Sequence, residues 1–242
     1  PFIGLVLISC SKNWDKEMEK DFPQMSSEWD TPTLIGVTDL GWIESVDCSE
    51  DGDTIYYMFY PGDDLVTDTR KEKWVGTAQI WYSVRDGSGN FSSHQQMFGT
   101  TIGIHETTGA SGTHVDSGNN LWFSSNHEAL TTGDWENENL YRNDSLMPFN
   151  DPNATYGNPH YCAATDELWF DGVIDQEIWV LYDAAANGFS GTPVKAPEPI
   201  SDNTDGAQNM QPWLSADGQT MYFTSNRNRI GERYDGPEIV KS

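Results

Sequence analysis

Glu44, Asp171 and His160 are the side chains in this sequence best suited to chemistry. Two carboxylates flanking one bond can hydrolyse a glycoside. Their separation is about 5–5.5 Å for retention and about 6.5–9.5 Å for inversion. Glu106 and Asp175 are further carboxylates that can complete a pair. A lyase would instead need a base and a charge neutraliser, for which His114, His160 and Arg227 are the candidates. With 38 acidic residues in the chain, some carboxylate pair arises anywhere by chance, so pairing alone decides little. No Gly-x-Ser-x-Gly nucleophile elbow is present. The other available chemistry is recognition. His114, Asn158, His160, Asp171, Gln211 and Arg227 offer imidazole, amide, carboxylate and guanidinium groups to a hydroxyl-rich ligand, and Trp42, Trp74, Trp135 and Trp213 offer rings for sugar faces.

A repeated pattern must position these residues. The clearest copy is Ser215-Ala-Asp-Gly-Gln-Thr-Met-Tyr-Phe-Thr-Ser-Asn-Arg227, followed by Glu238-Ile-Val-Lys. Ser49-Glu-Asp-Gly-Asp-Thr-Ile-Tyr-Tyr57 is followed by Gln79-Ile-Trp-Tyr. Asp116 to Asn126 is followed by Asn139-Leu-Tyr-Arg, and Ala164 to Phe170 by Glu177-Ile-Trp-Val. Each copy reads as turn, strand, loop, strand. Asp-Gly at 51–52 and 217–218 suits a tight turn, because Gly accepts positive φ and Asp bonds its own backbone. Ser117-Gly118 and Thr165-Asp166 take that place in the weaker copies. The triplets Ile55–Tyr57, Leu121–Phe123, Leu168–Phe170 and Met221–Phe223 are short, aromatic and apolar, which favours buried strand. Gln79, Asn139, Glu177 and Glu238 open the next strand outward and read as scaffold that satisfies loop N–H groups.

The last aromatics of the first triplets, Tyr57, Phe123, Phe170 and Phe223, fall about 45–65 residues apart, close to a four-stranded propeller blade. A polar insertion at 61–76 lengthens the first interval. The expected fold is therefore an all-β propeller with four blades, or five with a degenerate one. The segment 29–36 reads as an outer strand that completes the last blade and closes the ring, removing open sheet edges. In such a ring the candidates lie at the entries of the innermost strands: Glu44 and Ser45, Ser111 and His114, Asn158 and His160, Asn209 and Gln211. Asp171, His127 and Arg227 lie just past the aromatic strands. Asp171 departs from its siblings Met58, Ser124 and Thr224, which marks it for a separate role.

Ser-x-Asp-Gly-x-Thr-φ-Tyr-Phe-x-Ser-Asn-Arg, followed by an acidic-Ile-aromatic triplet, resembles the PD40 or TolB-like, WD40-like β-propeller repeat over roughly 29–242. The resemblance implies a fold and leaves the activity open, since the family includes envelope binding proteins, peptidase propellers and polysaccharide lyases.

The net charge of −25 opposes binding to nucleic acid or to anionic membranes. The acidic clusters Asp47–Asp53 and Asp63–Asp68 lack an EF-hand pattern, so no cofactor is expected, with Ca²⁺ the one left open. Cysteine spacing gives no metal site. Cys48 and Cys162 read as small buried residues at comparable places in different blades, without a disulfide. Cys10 follows the apolar run 2–8, and Leu7-Ile-Ser-Cys10 looks like a bacterial lipoprotein box. The expected organisation is a signal remnant at 1–10, a polar tether at 11–28 and a single propeller domain at 29–242. That predicts a monomeric periplasmic or outer-membrane lipoprotein of the bacterial envelope, touching the membrane only through its lipid. Its expected role is non-catalytic recognition of a glycan or an envelope protein. The alternative is a glycoside hydrolase or polysaccharide lyase at the axial pocket. A desolvated carboxylate pair would mark the enzyme; aromatic platforms without such a pair would mark the binder.

Overall fold

Each copy of the repeat becomes one antiparallel sheet in the computed structural model. The structure describes residues 42–60, 79–92, 95–97, 109–126, 138–143, 145–151, 153–201, 208–226 and 238–241. Cys10, the tether, the segment 29–36, the insertion at 61–76, Glu106, His127, Trp74, Trp135 and Arg227 lie outside those residues. The first sheet contains β1 (Trp42–Cys48), β2 (Thr54–Tyr60), β3 (Gln79–Val84) and β4 (Gln95–Gln96). The second contains β5 (Ala110–Val115), β6 (Leu121–Ser125), β7 (Asn139–Arg142) and β8 (Ser145–Leu146). The third contains β9 (Tyr156–Cys162), β10 (Glu167–Gly172), β11 (Glu177–Leu181) and β12 (Val194–Lys195). The fourth has three strands among the described residues, β13 (Asn209–Leu214), β14 (Met221–Ser225) and β15 (Glu238–Lys241). Within every sheet the strands pair in chain order, so each sheet is a meander.

The aromatic triplets explain how the sheets stack. Side chains alternate between the two faces of a strand, so neighbours in a triplet enter different cores. Phe123 joins Leu121, Tyr141 and Ile80 between the first and second sheets. Its neighbour Trp122 joins Leu140, Leu168, Phe170 and Leu181 between the second and third. Trp169 then turns the other way, toward Leu214, Met221 and Phe223 of the fourth sheet. β6 and β10 are thus buried on both faces, and successive sheets share cores. The first strands adjoin as well: β1 packs on β5, β5 on β9 and β9 on β13.

The tight turns repeat with the same bonds. Gly52 donates to Ser49 O and Gly218 to Ser215 O, both at 2.8 Å, with φ of 72° and 69°. In the two weaker copies the left-handed residue is not the glycine. Asn119 (φ 57°) and Asp166 (φ 53°) take the position, residue types that tolerate this conformation through local side-chain bonds. Gln79, Asn139 and Glu177 are all buried, as scaffold residues at strand entries would be.

The two cysteines are not equivalent. Cys48 pairs with Ile55, whereas Tyr161 pairs with the matching Leu168, which puts Cys162 one residue further along. Cys48 is exposed, against the expectation of burial, because a one-residue offset in a strand reverses the face. Both thiols are free.

Gly218 also carries a contact between sheets. A Cβ there would collide with Thr165 Cγ2 and lie 3.4 Å from Cys162 Sγ. Gly218→Val therefore adds a clash to the positive-φ strain, for an expected loss of about 2–4 kcal/mol. Thermal unfolding checks this; an unchanged midpoint would refute the turn assignment.

Candidate functional site

Every first strand carries an irregularity at the same place. The register shifts fall between Glu44 and Asp47, between Ser111 and His114, opposite Trp169–Asp171 on β9, and between Met210 and Trp213. Each bulge holds one left-handed residue: Ser45 (φ 52°), Gly112 (64°), Asn158 (47°) and Gln211 (55°). Three of the four are not glycine, and each such residue costs on the order of 1 kcal/mol. Bulges re-aim side chains and gather near functional sites. Here they create two rows across the four sheets.

The row two residues after the bulge is Asp47, His114, His160 and Trp213, each opposite an aromatic residue of the middle strand. Asp47 Oδ2 lies 2.8 Å from His114 Nδ1 and accepts the Val115 N–H at 2.8 Å. His114 Nε2 lies 3.2 Å from the Tyr161 carbonyl. The His114 and His160 rings sit 3.9 Å apart, and His160 meets Trp213 at 5.6 Å. Burial holds the His160 pKa well below the ordinary imidazole value; the neighbouring His114 adds to this, and a hydrogen bond with the Leu214 backbone opposes it. The row thus stitches four sheets together, with His160 held toward its neutral form.

That stack gives stability a pH dependence of definite sign. The unfolded imidazole binds its proton near pH ~6.5 and the folded one only at lower pH, so His160 supports the fold fully above ~6.5 and less as pH falls below it. His160→Phe keeps the stack without the titration. The stability lost by the wild type between pH 6.5 and 5 should be smaller in the variant, by up to about 1.4 kcal/mol per pH unit. Parallel pH–stability curves would refute this.

The row one residue before the bulge is Glu44, Ser111, Gly157 and Met210, opposite Met58, Ser124, Asp171 and Thr224. Asp171 is only 1% exposed. Its Oδ2 accepts Asn158 Nδ2 at 2.8 Å and the Gln211 N–H at 2.9 Å, tying β10 to β9 and β13. Its Oδ1 has no hydrogen-bond partner among the described residues. Burial pushes the Asp171 pKa up, the Gln211 and Asn158 bonds hold it back, and the charge of Asp175 adds to the rise.

Glu138 joins Asp171 at a gap left by Gly157. A Cβ on Gly157 would lie 2.8 Å from Asp171 Oδ1 and 3.8 Å from Glu138 Oε2. Glu138 is half-buried, and its carboxyl pKa is pushed up to about 7. Burial is the largest cause; a hydrogen bond with Ser124 opposes it, and the charges of Asp171 and Glu44 reinforce it. Three carboxylates therefore interact at one end of the first strands. β2, β6 and β14 finish, and β3, β7 and β15 begin, at that same end.

The structure thus groups Asn158, Asp171 and Gln211 in one cluster, and His114 with His160 in the other. Glu44 belongs with the carboxylates, in a different row from His160. Asn209 is buried and accepts the Ser225 hydroxyl at 2.8 Å. Trp213, at 43% exposed, is the described member of the proposed tryptophan platforms with open surface. Sequence reasoning missed Asp47 and Glu138. Glu138 stands immediately before the third-strand residue Asn139, where the siblings are Ala78, Gln176 and Pro237. The departure that singled out Asp171 applies to it equally. In the Asp47–Asp53 cluster, Asp51 serves its turn, accepting the Ser49 hydroxyl at 2.6 Å and the Asp53 N–H at 3.0 Å. Among the described residues no group of three or more His, Cys, Asp or Glu is arranged to hold a metal ion.

No protein-family model and no curated protein matches the chain. Solved structures that it resembles include a puromycin-hydrolyzing peptidase of Mycobacterium tuberculosis, at 13% identity and a TM-score of 0.48 over 83% of this chain and 27% of that one. Prolyl oligopeptidase B from Galerina marginata follows at 12% identity and 0.45, over 74% and 22%. A thermostable family-43 glycoside hydrolase gives 12% identity and 0.29, over 79% and 86%. The chain spans about a quarter of the length of the peptidases it matches. The described residues form an all-β architecture of consecutive antiparallel sheets.

Proposed function

We propose that the protein hydrolyses glycosidic bonds at the end of its first strands, with Glu138 as the acid. The observation that carries this is the Glu138 carboxyl poised near neutrality, with a pKa of about 7, across the Gly157 gap from Asp171. A glycosidase needs one carboxyl that is still protonated at working pH and a second carboxylate beside it. Glu138 is half-buried as a residue and stands beside the Gly157 gap. Asp171, buried and bonded, keeps the Glu138 proton on through its charge. Glu44, half-buried and acting on Glu138 through its charge, is the second carboxylate. A non-catalytic glycan-binding role is the second reading. It is favoured by the full burial of Asp171, whose Oδ2 bonds would serve equally to hold β9 and β13 in place.

The repeat and the shared cores support a PD40 or TolB-like propeller of four blades, with 29–36 as the strand that completes the fourth. Cys10 would tether it to a bacterial envelope. Screening the protein on a glycan array, with mass spectrometry of every hit, tests the function. Cleaved products lost in Glu138→Gln support hydrolysis; an intact bound glycan supports the binding role; unsaturated products would point to a lyase.

A further inference from the structure

A groove of about 680 Å³ opens on the outer side of the third sheet, within the size range of small-ligand sites. Its lining includes Phe149, Asp151, Tyr156, Ile174, Asp175, Trp179 and Thr192. Tyr156 and Gly172, both in the lining, form the strand pair next to that of Gly157 and Asp171. The Tyr156 N–H donates to Glu138 O at 3.1 Å, which fixes the two sites to each other.

The groove has the parts that a sugar needs. Trp179 donates its indole N–H to Asp175 Oδ2 at 3.2 Å, and the Lys195 ammonium lies 6.0 Å from the ring centroid. Gly172 makes this unit fit: a Cβ there would collide with the Asp175 carboxylate and lie 3.0 Å from Trp179 Nε1. Ile174, at 71% exposed, forms an apolar lip. An aromatic ring and an apolar lip suit the C–H face of a pyranose, while carboxylates, threonine and backbone suit its hydroxyls.

The charge is equally informative. Asp151 and Asp175 line the groove, and their charges, after burial, raise the Tyr156 phenol pKa. Lys195 is engaged by Asp175 at 3.9 Å and Glu177 at 3.4 Å. With −25 on the whole chain, a uronate or sulfated sugar would be repelled both on approach and in place.

We infer that this groove is an outer sugar subsite of the Glu138 site, taking a pyranose that bears no carboxylate or sulfate, with Trp179 and Ile174 as its apolar wall. The inference rests on the glycan reading above and adds the substrate class. Calorimetry in the full-length Glu138→Gln background, which prevents turnover, tests it. The probes are cellohexaose, mannohexaose and the N-acetylglucosamine hexamer as uncharged glycans, and hexagalacturonate as the anionic one. At least one uncharged probe should bind, and hexagalacturonate should not. Trp179→Ala and, at the exposed lip where folding is indifferent, Ile174→Asp should each weaken binding by about tenfold or more. The inference is overturned if hexagalacturonate binds as tightly as the best uncharged probe, if no uncharged probe binds, or if both variants bind as before. Turnover in the otherwise wild-type protein that ignores Trp179 would sink the subsite and leave the Glu138 chemistry standing. Trp179-dependent binding without any turnover would do the reverse.

Discussion

Glu138→Gln is expected to lower turnover of a cleaved glycan by about 10²–10⁴-fold while raising stability above neutral pH. The first effect is the ordinary worth of a positioned general acid. The second follows from linkage. The Glu138 carboxyl has its folded pKa raised to about 7 from an ordinary 4.5. The fold therefore holds this proton more tightly than the unfolded chain does. The wild type loses stability as pH rises from ~4.5 through ~7, where the unfolded carboxyl ionises and the folded one resists. Gln carries no charge and escapes the loss. The two proteins should differ by a constant offset below pH ~4.5, and the variant should gain on the order of 2 kcal/mol by pH 8, a figure reduced for the partial exposure of the side chain. Activity of the wild type should fall as pH rises through ~7. Denaturant titrations across pH, together with a pH–rate profile, check both halves. A variant that keeps its activity would remove Glu138 from the chemistry; one whose stability difference ignores pH would remove the raised pKa.

Gly112→Ala should be the most damaging single methyl in the described part of the molecule. Gly112 has φ of 64°, and a Cβ on it would lie 2.9 Å from both Asn158 Cα and Asn158 N. Those atoms are backbone and cannot rotate away. The substitution forces β5 and β9 apart, at an expected cost of about 3–4 kcal/mol and about 10 °C in Tm. It also moves Asn158, whose side chain holds Asp171, so any activity should fall in protein that remains folded. Two controls separate the causes. Gly52→Ala meets nothing within 4 Å but carries φ of 72°, so it should show the strain alone, about 1 kcal/mol. Gly87→Ala meets nothing and has no positive φ, so it should be silent. Equal losses at Gly112 and Gly52 would mean that the contact between strands is unimportant.

The strands and their order were legible in the repeat because hydrophobic periodicity and turn chemistry are local signals. Ile55–Tyr57, Leu121–Phe123, Leu168–Phe170 and Met221–Phe223 all lie in middle strands, and the polar residues before the second triplets open the strands that pair with them. The bulge was half visible: Ser45, Asn158 and Gln211 stood out by position, while the left-handed conformation of Ser45 and Gln211 was not foreseeable from residue type. Asn and Gly announce such a backbone; Ser and Gln do not. Cys48 was misjudged because one residue of register reverses a face, and no sequence alignment through weak copies is accurate to one residue. Asp171 was legible as a departure from its siblings. Glu138 was not singled out, although the same comparison exposes it, because it stands one residue before a strand that reads as scaffold. The pairing of Glu138 with Asp171 across Gly157 is a contact between sheets, and single-sequence spacing carries no information about such contacts.

Burial and two neighbouring carboxylates hold the Glu138 proton to near neutrality. Carbon-detected NMR of the glutamate side-chain carboxyls, with Glu138 assigned by comparison with Glu138→Gln, follows that proton directly. A midpoint near 7 is expected. The midpoint should also fall in Asp171→Asn, where one raising charge is gone. A midpoint near the ordinary 4.5, unmoved by Asp171→Asn, would contradict the acid role and leave these carboxylates as scaffold.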